Sequence, residues 1–208
     1  MLASDFYLIS HSDTTGRPRV HPRALGLGLA AGLLGELMAA ERLSVCSGVL
    51  TVWAGERPGD ALAHTVLDRI VGEPGHRLVR VWLDFLALSA VEAVGERLAR
   101  AGVLWRDERR SLLLRRRVAF EPVDMNVAVG PQVRLSRLLS RRDPVTLVDA
   151  TLVALLAATG LAGQVVWDDE PHSRRYLVEV VDRLPASLRE LAAHTEAAVG
   201  AGVGAHRT

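Results

Sequence analysis

The chain of 208 residues contains no lysine: its 25 basic side chains are all arginine, and 24 acidic side chains bring the net charge to +1. This balance excludes a general nucleic-acid packaging protein, because binding to a phosphate backbone needs a surplus of positive charge. Aromatic residues make up only 4% and the four tryptophans are scattered, so a stacking platform for single-stranded nucleic acid is not indicated. We therefore expect no nucleic-acid partner.

Cysteine and long apolar runs are also scarce. The single cysteine, Cys46, excludes an intramolecular disulfide. No apolar run reaches the roughly 18 residues that a membrane-spanning helix requires, and the N-terminus lacks the pattern of a secretory signal. With 49% hydrophobic and 24% charged residues, the chain is too apolar for a disordered protein. These features predict a globular cytoplasmic protein.

Hydrophobic spacing and turn residues predict a mostly α fold. Leucines recur every four residues from Leu25 to Leu37, which is typical of a buried helix. About seven helices and two or three small hairpins are expected. The first half of the chain is expected to form a strand and hairpin over Asp5–Gly16, a helix over Leu25–Ala40, a hairpin over Leu43–Trp53, a helix after Asp60 to Val71, and one or two helices over Leu78–Ala101. A hairpin over Val103–Phe120 and a helix over Asp124–Leu139, interrupted near Gly130-Pro131, are expected next. The last three helices are expected from Asp143-Pro144 to Ala158, over Ser173–Leu184 and over Pro185–Ala198. We expect one domain over residues 1–198 and a flexible tail over 199–208.

Few residues form a pattern that indicates a metal-binding or catalytic site. His64 and Asp68 stand four residues apart, as in a metal-binding pair, but an exposed polar pair is the favoured interpretation. The run Asp168–His172 lacks the ligand spacing and turn glycine of a calcium loop, which favours an acidic loop. Cys46 has no histidine close in sequence to activate it. We expect no metal, no cofactor and no catalytic residue.

Blocks of residues in order along nearly the whole chain resemble bacterial Golgi phosphoprotein 3-like (GPP34) domains, in the actinomycete branch. The blocks are Leu8-Ile9-Ser10 with Asp13–Arg17, the glycine-rich Gly28–Leu37 followed by Arg42-Leu43, Gly59-Asp60, Trp82-Leu83, Glu96-Arg97-Leu98 into Gly102-Val103-Leu104, and Leu152–Leu156. The resemblance implies a helical bundle with small β-hairpins, one of them protruding. For eukaryotic members it implies a cytosolic peripheral membrane protein that binds phosphatidylinositol 4-phosphate and retains Golgi glycosyltransferases.

The lipid clamp that the resemblance implies is not kept in this sequence. The family's tryptophan falls on His21 and its first arginine on Ala30, while the other two arginines fall near Leu88 and Val91. A phosphomonoester without arginine partners loses several charge-assisted hydrogen bonds, each contributing about 1.5–3 kcal/mol. We therefore expect the specific phosphoinositide pocket to be lost, and the cargo role does not transfer to a cell without a Golgi.

The hairpin predicted over Val103–Phe120 carries a different signal. Three leucines are bracketed by five arginines, and ten arginines face only four acids between Arg106 and Arg142. The expected lipid-binding residues are Arg109, Arg110, Leu112, Leu113, Leu114, Arg115, Arg116 and Arg117. His21 and Arg23 are a second candidate anion-binding turn, for which a turn of solvated charges is the favoured interpretation. Two other interpretations stay open: arginines that guard a solvated strand edge against aggregation, and a hairpin that mediates homo-oligomers.

The sequence thus favours a non-enzymatic peripheral membrane or adaptor protein, which binds anionic phospholipid reversibly and engages a protein partner. An alternative is an enzyme or accessory protein of an actinomycete biosynthetic pathway, with an apolar pocket between helices. A third is a winged-helix DNA-binding module, since helices twice precede hairpins. That third class is weak, because the helix over Leu25–Ala40 has no arginine before Arg42.

Overall fold

The computed structural model describes residues 1–110, 116–166 and 171–204, and for 108–110, 116–118 and 202–204 it describes the backbone alone. Within these ranges lie nine α-helices and two antiparallel hairpins, in agreement with the predicted mostly α class. The elements are α1 (Leu2–Ser10), α2 (Pro22–Ala39), β1 (Leu43–Cys46), β2 (Val49–Val52), α3 (Ala61–Gly72), α4 (Val79–Ala87), α5 (Ala90–Arg100), β3 (Leu104–Arg110), β4 (Arg116–Pro122), α6 (Met125–Arg141), α7 (Leu147–Ala158), α8 (Pro171–Asp182) and α9 (Ala186–Gly204), with a short 3-10 turn at Ala162–Gln164. None of the helices within these ranges is both long and apolar enough to cross a bilayer.

Helix α2 is the centre of the bundle, with α1, α4, α7 and α9 packed around it. From Ala24 to Met38 every residue is buried except Glu36, which is half-buried. Its glycines admit close neighbours: a Cβ on Gly28 would overlap the ring of Phe6 in α1. A helix that is apolar on all sides is stable only when surrounded, and this leucine- and glycine-rich sequence meets that condition.

Two of the three predicted hairpins, those over Leu43–Trp53 and Val103–Phe120, are confirmed. In the first, Leu43 pairs with Val52 and Cys46 with Val49. The turn residues Ser47 and Gly48 have φ of 53° and 74°, the left-handed pair that a tight two-residue hairpin requires. In the second, β3 and β4 pair in register along their full lengths.

The segment from Asp5 to Ile9 is not a strand, as the sequence predicted, but part of helix α1. Short apolar runs do not distinguish strand from helix by pattern alone. Here Leu2, Phe6 and Ile9 have helical spacing, and all three are buried in the core that includes α2. Burial of this face outweighs the β-forming tendency of the local sequence.

Two predicted helix boundaries are also wrong. Helix α6 continues through Pro131, which is buried inside it, so the predicted interruption is absent. Helix α7 begins at Leu147 rather than at Pro144, because Thr146 is its N-cap. The Thr146 hydroxyl accepts a hydrogen bond from the Asp149 amide at 3.1 Å and donates one to the Asp149 carboxylate at 2.9 Å. This side-chain cap satisfies an otherwise unpaired helical N–H, which Asp143 is too far upstream to do.

The last helix, α9, runs to Gly204 and therefore passes the end predicted for it at Ala198. Residues 199–204 comprise three glycines, two valines and one alanine. Glycine has a low helix propensity, so local propensity does not explain why the helix continues beyond Ala198.

Candidate functional site

The base of the β3–β4 hairpin is fixed in the core. Phe120 of β4 is buried and lies edge-on to Tyr7 of α1, with ring centroids 6.5 Å apart and planes at 89°. It also lies against Gly95 of α5, where a Cβ would overlap the Phe120 ring. On the opposite strand Leu104 is buried as well. The hairpin is therefore held at its base by α1 and α5.

Toward the other end of the hairpin, the backbone register places arginine positions opposite one another. Arg109 pairs with Arg117, and Arg110 pairs with Arg116. We call these four residues the arginine pairs. The remaining predicted lipid-binding residues, Leu112, Leu113, Leu114 and Arg115, lie outside the described residues.

Closer to the base, the hairpin carries an exposed aromatic side chain. Trp105 is 68% exposed on β3 and pairs in register with Glu121. The neighbouring Arg106 forms an ion pair with Glu96 of α5. The positive charge near the base is thus compensated within the fold, and Trp105 adds apolar surface beside it. Tryptophan is enriched at the level of lipid headgroups, where its ring is half solvated.

Some of the arginines between Arg106 and Arg142 form ion pairs with acidic side chains of other helices. Arg134 of α6 forms ion pairs with Asp5 at 2.8 Å and Asp149 at 2.9 Å. Arg142 pairs with Glu179 at 3.2 Å. Both residues thus hold helices together. Arg134 and Arg142 are therefore balanced by acidic side chains of other helices.

The second predicted anion site, His21 and Arg23, has structural partners. His21 is the N-cap of α2, with Nδ1 accepting from the Arg23 amide at 3.3 Å. The Arg23 guanidinium pairs with Asp84 of α4 at 3.2 Å. Of the other positions that the family clamp would use, Ala30 is fully buried, while Leu88 is 86% exposed. Neither offers a cation to a phosphate.

Helix α4 presents a second exposed apolar surface, which was not among the sites predicted from the sequence. Four large side chains on its outer side are exposed: Leu78, Val81, Phe85 and Leu88. The guanidinium carbon of Arg69 lies 5.9 Å from the centre of the Phe85 ring. The signal for this surface is present in the sequence, because apolar residues on α4 occur at more positions than a single buried face accounts for.

The polar candidates outside the hairpin do not form a metal centre in the described part of the chain. There, no three metal-ligating side chains come together. His64 and Asp68 form the predicted i,i+4 pair, with Nε2 of the histidine 3.1 Å from the carboxylate. Cys46 is exposed in its hairpin. Residues 168–170 of the predicted acidic loop lie outside the described residues.

A helical bundle built around a buried glycine-rich helix, with a cationic hairpin anchored at its edge, defines the class of this domain. The sequence model of the family described as Golgi phosphoprotein 3 (GPP34) matches residues 2–201. The chain therefore belongs to the Golgi phosphoprotein 3 family. No curated protein sequence matches the chain with significance.

Proposed function

We propose that this protein is a cytoplasmic peripheral membrane protein, which docks reversibly on anionic phospholipid through the β3–β4 hairpin. The observation that carries the proposal is the register that sets Arg109 opposite Arg117 and Arg110 opposite Arg116. Such pairs are unfavourable in isolation, and a surface of lipid phosphates relieves their repulsion. The family to which the chain belongs supports the same role.

The energetics are sufficient for reversible binding. Each arginine near an anionic surface contributes about 1 kcal/mol, and salt screens this contribution. Each leucine of the segment Leu112–Leu114 that enters lipid contributes about 1.5–3 kcal/mol by transfer from water. Because the electrostatic part falls with ionic strength, binding should weaken in salt without vanishing.

The lipid partner is an anionic surface rather than a particular phosphoinositide. The first cation of the family clamp falls on Ala30 and the other two fall near Leu88 and Val91, and none of these three residues carries a charge. His21 and Arg23 are at most an accessory contact, since Arg23 would have to leave Asp84. An adaptor role, in which the docked protein engages a protein partner, is part of this proposal.

Co-sedimentation with vesicles tests the hairpin. The test variant carries R109Q, R110Q, R116Q and R117Q, and the matched control carries R174Q, R175Q, R183Q and R189Q, four exposed arginines on α8, on α9 and between these helices. A third variant replaces Leu112, Leu113 and Leu114 by serine. We expect the wild type and the control to sediment with phosphatidylglycerol vesicles, and both hairpin variants to lose at least tenfold in affinity.

The same assay with phosphatidylcholine vesicles gives the neutral reference, to which we expect little binding. If the hairpin variants bind phosphatidylglycerol as well as the wild type, the proposal is wrong. If the α8–α9 control loses as much affinity as the hairpin variant, general charge rather than the hairpin drives binding, and the proposal is equally overturned.

A further inference from the structure

Arg42 lies between the end of α2 and the start of β1, with its backbone held on both sides. Its amide donates to the Leu37 carbonyl at 2.8 Å, and its carbonyl accepts from the Trp53 amide at 2.9 Å. The residue is thus fixed at the junction of the central helix with the first hairpin. Its side chain reaches the loop that leads from Trp53 to Asp60, where a Cβ on Gly55 would overlap Nη1 of the guanidinium.

The Arg42 side chain is half-buried, and part of its guanidinium is enclosed by the fold. Nε and Nη1 are both buried without a hydrogen-bond partner, and across the described ranges the side chain forms no ion pair. Arginine stays protonated at any physiological pH. Buried charges in folded proteins are normally paired, because removing them from water without compensation is costly. An anion from outside the chain that contacts the accessible part of the guanidinium would compensate this charge.

A cavity of about 370 Å³ adjoins this guanidinium. Arg42 and Arg57 both line it, together with the loop backbone around Gly55 and Gly59. Two arginines at one cavity match the oxygens of a phosphate group, which accepts several hydrogen bonds from guanidinium forks. The volume exceeds that of a phosphate alone, so the site has room for the rest of an ester.

Two carboxylates, Glu41 and Glu56, line the same cavity. They offset the charge of Arg42 and Arg57, so a ligand must be held by directed hydrogen bonds rather than by a general positive field. Carboxylate oxygens accept hydrogen bonds from hydroxyl groups. The lining thus combines donors for a phosphate with acceptors for hydroxyls on the same ligand.

We propose that this cavity binds a phosphate ester that carries free hydroxyl groups, with the phosphate on Arg42 and Arg57 and the hydroxyls on Glu41 and Glu56. The site is separate from the β3–β4 hairpin, and it does not depend on the proposed membrane docking. A soluble polyol phosphate and a phosphatidylglycerol headgroup share this chemistry, and the experiment distinguishes the two sources.

Titration calorimetry with sn-glycerol 3-phosphate, inorganic phosphate and glycerol tests the site directly. We expect saturable binding of glycerol 3-phosphate, weaker binding of phosphate and none of glycerol. Arg42→Gln and Gly55→Ala should each lose at least tenfold in affinity, the latter because the new methyl group displaces the guanidinium. Gly72→Ala is the matched control, since Gly72 does not line the cavity and nothing lies within 4 Å of its added Cβ.

Glu56→Gln gives a readout that mere loss of folding does not produce. It should raise the affinity for inorganic phosphate and reduce the preference for glycerol 3-phosphate. A loss of phosphatidylglycerol vesicle binding in Arg42→Gln assigns the site to a lipid headgroup, whereas a loss in the titration alone assigns it to a soluble ester. The proposal is overturned if glycerol 3-phosphate does not bind saturably, or if Arg42→Gln binds it like the wild type.

Discussion

Arg97 donates two hydrogen bonds to the Glu36 carboxylate inside the bundle, at 2.8 Å to Oε2 and 3.1 Å to Oε1. It donates a third to Asp60 at 3.2 Å, and Glu36 also accepts from the Ala3 amide at 2.9 Å. Burial lowers the pKa of Arg97, but its bonds to Glu36 and Asp60 outweigh that effect and raise it. One charged cluster thus ties α5 to α2, to the start of α3 and to the first turn of α1.

Replacing Arg97 by methionine should destabilise the fold by about 3–5 kcal/mol, because Glu36 and Asp60 are left without their shared cation. Urea denaturation measures the free energy of unfolding. Arg100→Met on the same helix is the matched control: Arg100 is exposed, and we expect its loss to cost less than about 1 kcal/mol. Equal losses in the two variants would contradict a structural role for the cluster.

The glycines of α2 allow a second stability test. Gly28→Ala places a methyl group in the ring of Phe6, and such overpacking typically costs about 1–3 kcal/mol. Gly130→Ala in α6 has open space around its Cβ and should stabilise the protein by about 0.5–1 kcal/mol through helix propensity alone. Thermal unfolding should therefore shift in opposite directions for the two substitutions. A stabilised Gly28→Ala variant would mean that α1 does not pack closely on α2.

The features that the sequence predicted correctly are those with a local signal. The leucine spacing of α2, the Asp60 cap of α3 and the turn at Ser47-Gly48 are each readable within a few residues. The local sequence of α1 favours a strand, because only the burial of α1 against α2 decides between a strand and a helix.

The same distinction holds for the candidate sites. The arginines of the hairpin are visible in the local sequence, but only the register shows that Arg109 pairs with Arg117 and Arg110 with Arg116, and their role in lipid binding stays a prediction. The cluster of Glu36, Asp60 and Arg97 joins residues far apart along the chain, and no spacing rule predicts such a contact. The sequence does not predict the surroundings of Arg42 either, since only tertiary packing places its guanidinium against Gly55.

Stability should depend on pH through His11, which is buried and stacks on Tyr7 with ring centroids 4.0 Å apart. Burial lowers its pKa, the nearby Arg19 lowers it further, and the hydrogen bond to the Tyr7 carbonyl opposes them only in part. The folded protein thus holds His11 neutral where the unfolded chain already binds a proton. Stability is therefore present above the ordinary histidine pKa of about 6.5 and is lost as pH falls below it.

Thermal unfolding between pH 7.5 and 5 measures this loss, whose slope for one proton is at most about 1.4 kcal/mol per pH unit. His11→Gln should flatten the profile, whereas His76→Gln, at an exposed position, should leave it unchanged. A wild-type and a His11→Gln profile that run parallel would show that His11 does not control the pH dependence.

Phe120 connects the fold to the proposed function, because it holds the base of the hairpin against Tyr7 and Gly95. Phe120→Ala should cost about 3–5 kcal/mol and loosen the hairpin, so trypsin should cleave at the arginine pairs faster. Phe120→Leu retains most of the volume and should have a smaller effect of the same kind. Val123→Ala, exposed just after β4, is the control and should change neither cleavage nor stability measurably.

Loosening the hairpin should also weaken binding to phosphatidylglycerol vesicles in proportion to the rise in cleavage rate, if a fixed hairpin presents the arginine pairs to the membrane. Ordering a loose hairpin on the surface adds a conformational entropy cost to binding. Phe120→Leu, which should stay folded, separates this effect from global unfolding. Should Phe120→Leu increase cleavage yet bind vesicles with wild-type affinity, the arginines act as a flexible cationic segment, and the anchored base does not contribute to docking.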